Sequence, residues 1–249
     1  MSSTKIRIEV IGIVPDDFLR FIENVLNDFY SRVDGPLFVE VYIYSTKYDK
    51  IVYMENLATR YGVTVIGDFI TMHEAWSGWP RIHIDFESCS KLSKHYIKAL
   101  LVHEAAHSIL HGSPLFYAID IPPKLLENPI ALALIYLAST IAKDIDVYRF
   151  LSEKGFIDEI ETYNEFIVEH QLEDRCTNSF EIYTLAKMLI PCLYIKRCKQ
   201  LEIPMNCRDI AMTIIEKLKT IEKEIIDLDL SKATLKIFHT LQNLHNESQ

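Results

Sequence analysis

One heptapeptide, Leu101-Val102-His103-Glu104-Ala105-Ala106-His107, constrains this chain more than any other. Histidines four apart on an α-helix lie about 40° apart around the axis and one turn along it, so His103 and His107 share a face and can share one ion. Glu104 projects beside them, where a water would sit. The flanking Leu101, Val102, Ala105 and Ala106 are uncharged, as a buried helix requires. The pattern points to Zn²⁺ held by His103 and His107, with Glu104 as general base. The plainer reading of the same residues is a helix with two histidines on one side and an exposed glutamate.

The motif helix begins at Ser90 or Ser93, both good N-caps, and stops at Gly112 with Pro114 beyond. Upstream, strands and helices alternate. Lys5–Val14 and Leu37–Tyr44 are rich in β-branched and aromatic residues and read as strands. Between them Pro15–Val33 carries Phe18, Phe21, Ile22, Val25 and Phe29 on one helical stripe, ended by Asp34-Gly35-Pro36. Lys47–Tyr61 reads as a second helix stopped by Gly62, and Val63–Ile66 as a short strand. In Pro80–Phe86 polar and apolar residues alternate, which predicts a strand with one wet face. Trp76 and Trp79 precede it, either in the core or lining a groove.

After Asn128 the pattern is helical throughout, over Pro129–Glu153, Ile157–Leu172, Asn178–Gln200, Asn206–Ile226 and Ser231–Leu244. The expected fold class is α+β: a mixed sheet with helices and the motif helix over residues 1–112, then an all-helical part over 113–249, forming one compact unit with a cleft at the motif.

Composition narrows the function classes. A net charge of −9 argues against nucleic acid, because phosphate binding needs a basic face; Lys196-Arg197 with Lys199 reads as a solvated helix face. The N-terminus alternates like a strand and lacks the apolar core of a signal peptide, and the run Ile130–Ala142 is too short to span a bilayer. No membrane partner and a cytoplasmic location are expected. The cysteines, Cys89, Cys176, Cys192, Cys198 and Cys207, are odd in number and form no C-x-x-C, which predicts reduced thiols.

Catalytic zinc takes three protein ligands and an open position. His111 follows His107 by four, but on a continuous helix it lies about 12 Å from His103 along the axis, too far for one ion. It reads as a C-terminal residue favoured by the helix dipole. On Pro129–Glu153, the residues Leu137, Thr140, Ile141, Val147, Tyr148 and Leu151 form one face with Asp144 at its centre. A carboxylate there is costly unless a cation compensates it, so Asp144 is the preferred third ligand; a buried salt bridge to a lysine or arginine of another helix is the alternative. Asp146 points away with Arg149 as an i,i+3 partner. Glu127, His170 and Glu173 are weaker candidates.

The segment His103-Glu104-Ala105-Ala106-His107, continued by Ser108-Ile109-Leu110-His111-Gly112, resembles the active-site helix of the zincin metallopeptidases, in particular the minigluzincin type. Gluzincins often carry Glu-x-x-Ala-Asp or Glu-x-x-Val-Asn on the next helix, and Asp144-Ile145-Asp146-Val147-Tyr148 matches that register with aspartate for glutamate and Tyr148 for the last residue. The resemblance implies a zincin-like fold and a zinc-dependent metallopeptidase acting on peptide or protein substrates. Tyr148 departs from the pattern, and its hydroxyl is a candidate donor to a ligand or to the reacting oxyanion; Tyr163 and His170 are the other oxyanion candidates, and nothing in the sequence selects among them. It also implies that the strand Pro80–Phe86 is a sheet edge that receives extended peptide. A zincin-like regulatory or interaction protein with a structural or latent zinc site is the alternative. The C-terminal helices could serve for self-association.

Overall fold

A computed structural model of the chain describes residues 4–63, 68–170, 176–196, 198, 203 and 205–247. Most of the expected strand Val63–Ile66 lies outside these residues, as do Leu172, Glu173, Arg197, Lys199 and Gln200. The chain forms two compact units, Met1–Tyr117 and Ala118–Gln249. The fold is α+β, with a four-stranded mixed sheet and mostly helical content among the described residues.

The first unit runs β1 (Lys5–Ile11), α1 (Asp16–Arg32), β2 (Phe38–Tyr44), α2 (Lys47–Tyr61), β3 (Thr71–Glu74), β4 (Arg81–Asp85), α3 (Phe86–Cys89) and α4 (Lys94–Leu110). A Thr46–Asp49 capping box opens α2, and Gly62 closes it at φ +66°, a conformation in which a side chain would be strained. Sheet order is β1-β2-β4-β3, with β3 antiparallel to β4 and the other pairs parallel.

Register places Val39, Val41, Ile43, Ile82 and Ile84 on one face, where α4 packs, and all are fully buried. The opposite face carries Glu40, Tyr42 and Tyr44 of β2, Arg81, His83 and Asp85 of β4, and Glu74 of β3. This is the face expected to be wet, and it is not: Arg81, His83 and Asp85 are 7, 0 and 0% exposed. The charges there are compensated locally. Arg81 Nε lies 2.8 Å from Glu40 Oε2 and Arg81 Nη1 3.6 Å from Glu74 Oε1. Trp79 donates its indole N–H to Glu40 at 2.7 Å and lies under the Arg81 guanidinium. Lys50 of α2 reaches Asp85 at 2.9 Å, Asp68 at 2.7 Å and the Phe69 carbonyl. Alternation along Arg81–Asp85 therefore records a paired polar layer. β4 is also internal; the edge next to it is β3, which the sequence reading missed and which corrects the expectation of an edge at Pro80–Phe86.

The second unit comprises α5 (Pro123–Leu126), α6 (Pro129–Glu153), α7 (Ile157–His170), α8 (Ser179–Leu189), α9 (Arg208–Glu224) and α10 (Leu230–Glu247). Helix α6 is its centre, packing on α8 and α10. Asn128 caps it and Pro129 takes its first position, as the sequence predicts. The expected helix Asn178–Gln200 stops at Leu189 and tightens to a 3₁₀ turn over Ile190–Leu193, because Pro191 has no N–H to give and its ring crowds the preceding turn. The thiols are not all reduced: Cys176 pairs with Cys207 and Cys192 with Cys198. The odd count hid these pairs, and Cys89 is the one left over, a buried thiol pushed up to about 12 by burial. Disulfides persist in oxidising surroundings, which weighs against the cytoplasmic expectation. Among the described residues no helix is long and apolar enough to cross a membrane.

Lys50→Met should lower stability by about 3 kcal/mol, because it leaves Asp85 buried without its cation; urea unfolding followed by tryptophan fluorescence reads this unit, which holds both Trp76 and Trp79. Burial pushes the Glu40 carboxyl up, but hydrogen bonds from Trp79 and Arg81 outweigh it and hold it below the ordinary value of 4.5. Its stabilisation is thus present above that value and lost as pH falls through the lower folded one. Glu40→Gln should be destabilising at pH 7, and its deficit relative to wild type should shrink on acidification below about pH 4.

Candidate metal centre

Ser93 caps α4 by accepting the Tyr96 N–H, and the helix carries His103, Glu104 and His107 at 5, 7 and 9% exposure. Glu104 is thus buried, against the plainer expectation of an exposed glutamate. Ser108 fixes the helix against α1: its hydroxyl donates to the Ala105 carbonyl at 2.7 Å, so the Tyr30 hydroxyl, 2.7 Å away, donates to it. At Gly112 a Cβ would stand 2.4 Å from the Ser108 carbonyl oxygen and 2.9 Å from Pro80, so only glycine lets the chain leave the helix here.

The imidazoles stand close enough to share an ion. His103 Nε2 and His107 Nε2 are 3.2 Å apart. Two nitrogens each at about 2.0–2.1 Å from a tetrahedral ion are about 3.3 Å apart, so the spacing fits one metal. His107 Nδ1 lies 2.9 Å from His111 Nδ1. Were Nε2 of His107 a metal ligand, its proton would sit on Nδ1 and be donated to His111, which would fix the ring and the tautomer. His111 is 2% exposed, its backbone N–H bonds the His107 carbonyl at 2.7 Å, and its ring meets the edge of Phe116. Sequence reasoning gave it a dipole role; its distance from His103, eight residues away, argued against it as a ligand, while its i,i+4 spacing from His107 makes it a partner of that ring.

His103, His107 and Asp144 are buried, and each offers a ligand atom with which a metal ion could be held. Asp144 is 4% exposed on α6 beside the buried Ile141, Val147, Tyr148 and Leu151, while Leu137 and Thr140 of the expected face are half-buried. Its Oδ2 is 3.6 Å from Lys187 Nζ of α8, so the alternative compensation weighed for it is also present, at a long distance and from a side chain 43% exposed. Asp146 is 44% exposed and pairs with Arg149 at 3.3 Å, as its spacing predicts. Glu127 is exposed, and His170 is exposed with its ring on Phe166 and Nδ1 toward the Phe166 carbonyl. Tyr148 is buried, with ring contacts to Tyr163 at 5.9 Å and Tyr194 at 6.4 Å.

Strand β3 adds residues that the sequence did not reveal. The His73 N–H donates to Glu104 Oε2 at 2.8 Å and the Thr71 hydroxyl to Oε1 at 3.1 Å. The His73 ring is parallel to that of His107, with centroids 5.9 Å apart, and its Nδ1 is 3.3 Å from the Tyr117 hydroxyl, which accepts the Ala75 N–H. The four-residue strand is too short for a periodicity signal, though its Thr-x-His alternation is the trace it leaves. No protein-family model matches the chain, and neither does any curated protein or solved structure.

His111→Leu should weaken metal affinity about 10–100-fold while leaving stoichiometry intact at saturating metal; competition against a chromophoric chelator measures it.

Proposed function

We propose that the chain is a zinc-dependent metallopeptidase of zincin type, with His103, His107 and Asp144 as the metal ligands. The supporting observation is the Nε2–Nε2 separation of 3.2 Å in a buried pair that Glu104 flanks in sequence. The fit rests on donor chemistry: two imidazoles and a carboxylate are a common catalytic zinc set, and the second imidazole has its orienting partner. When bound, the ion would polarise a carbonyl and make water a better nucleophile. Glu104 takes the proton of the attacking water and returns it to the leaving amine of a peptide or protein substrate. Tyr148 is the candidate hydroxyl for the developing oxyanion.

The second reading is a regulatory or interaction protein whose site is structural or latent. The Asp144–Lys187 contact favours it, since a lysine can compensate that carboxylate without an ion.

Elemental analysis of protein purified without added metal should give about one zinc per chain, lost in His103→Ala and much reduced in Asp144→Ala. Glu104→Gln should keep the metal and lower peptide hydrolysis by about 10²–10⁴-fold. Metal in both proteins with hydrolysis in neither would favour the second reading, and zinc unchanged in Asp144→Ala would remove Asp144 from the ligand set.

A further inference from the structure

The backbone phase of β3 decides what its edge offers. Asp85 N–H bonds the Ile70 carbonyl, while the His73 N–H points to Glu104 and the Ala75 N–H to Tyr117. In an antiparallel pair the N–H and C=O of one residue point to the same side, and sides alternate. Residues 71, 73 and 75 thus turn their backbone groups away from β4, and 70, 72 and 74 turn theirs toward it. The side chains of Thr71 and His73 share the face on which α4 packs. Glu104, from α4, lies across this edge with one carboxylate oxygen on each of two alternate residues.

We propose that Thr71 is a positioning residue for Glu104, a role that rests on the hydrolase reading above. An ionised carboxylate only accepts, so the 3.1 Å contact is a donation from the Thr71 hydroxyl. Thr71 is 8% exposed, and its β-branch restricts χ1, so the hydroxyl has few other directions. With the His73 N–H on Oε2, both carboxylate oxygens are tied to one strand and the side chain is held in one rotamer. The fixed base is already oriented when substrate arrives, and no side-chain ordering is left for the reaction.

A binding measurement tests this without turnover. Full-length protein is loaded with cobalt(II), and acetohydroxamate is titrated against its visible absorption; the bound hydroxamate sets an oxygen beside the base. Thr71→Val should weaken hydroxamate binding about fivefold with cobalt content unchanged. Thr71→Ser, which keeps the hydroxyl, should restore it, and Glu104→Gln sets the limit. Thr71→Ala serves if the valine variant does not fold. Affinity equal to wild type in Thr71→Val overturns the proposal and leaves the metal centre standing, even if melting temperature falls and serine restores it. Wild-type protein that holds cobalt but not hydroxamate overturns the hydrolase reading and this role with it. Wild-type protein that holds no cobalt overturns both at the level of the metal centre.

Discussion

Arg81 is the side chain on which the arrangement of the first unit depends. It stands on an internal strand with Glu40 on one neighbour and Glu74 on the other, so a single buried guanidinium bridges β2, β4 and β3. A four-residue strand such as β3 has few ladder hydrogen bonds of its own. The ion pair to Glu74, together with the Ser77 hydroxyl on the same carboxylate at 2.9 Å, is what holds the end of that strand in register. Burial keeps the neighbouring His83 below its usual range, with Glu74 opposing, so this polar layer carries its positive charge on Arg81 and Lys50.

The two faces of the sheet divide the labour. The paired polar face under α2 fixes strand order, and the apolar face receives α4 by ordinary hydrophobic packing. At β3 adjacent residues serve the two faces: His73 turns its ring to His107 and its backbone N–H to Glu104, while Glu74 faces the polar layer. The histidine pair and the carboxylate beside it are thereby tied to the same short strand.

Much of this was legible in the sequence. Helix α2 runs over the expected Lys47–Tyr61 and α6 over Pro129–Glu153, because capping residues and proline mark helix ends chemically. The burial of His103, His107 and Asp144 followed from the uncharged flanks of the motif and the apolar face of α6. What the sequence hid was tertiary. The alternation of Arg81–Asp85 looks the same whether its polar side meets water or Glu40, Glu74 and Lys50. The pairing of Cys176 with Cys207 and of Cys192 with Cys198 follows from no spacing rule. Thr71 and His111 acquire their roles only from what faces them.

The glycine after the motif helix has a consequence for recognising relatives. Because Gly112 admits no side chain and His111 is held by His107, the constraint extends past the five-residue motif to His-Glu-x-x-His-x-x-x-His-Gly, preceded by Thr-x-His on a short strand. A genome scan with that composite pattern would retrieve chains that share this geometry even after their helical second halves have diverged beyond alignment, and it would separate them from the many proteins in which two histidines stand four apart by chance.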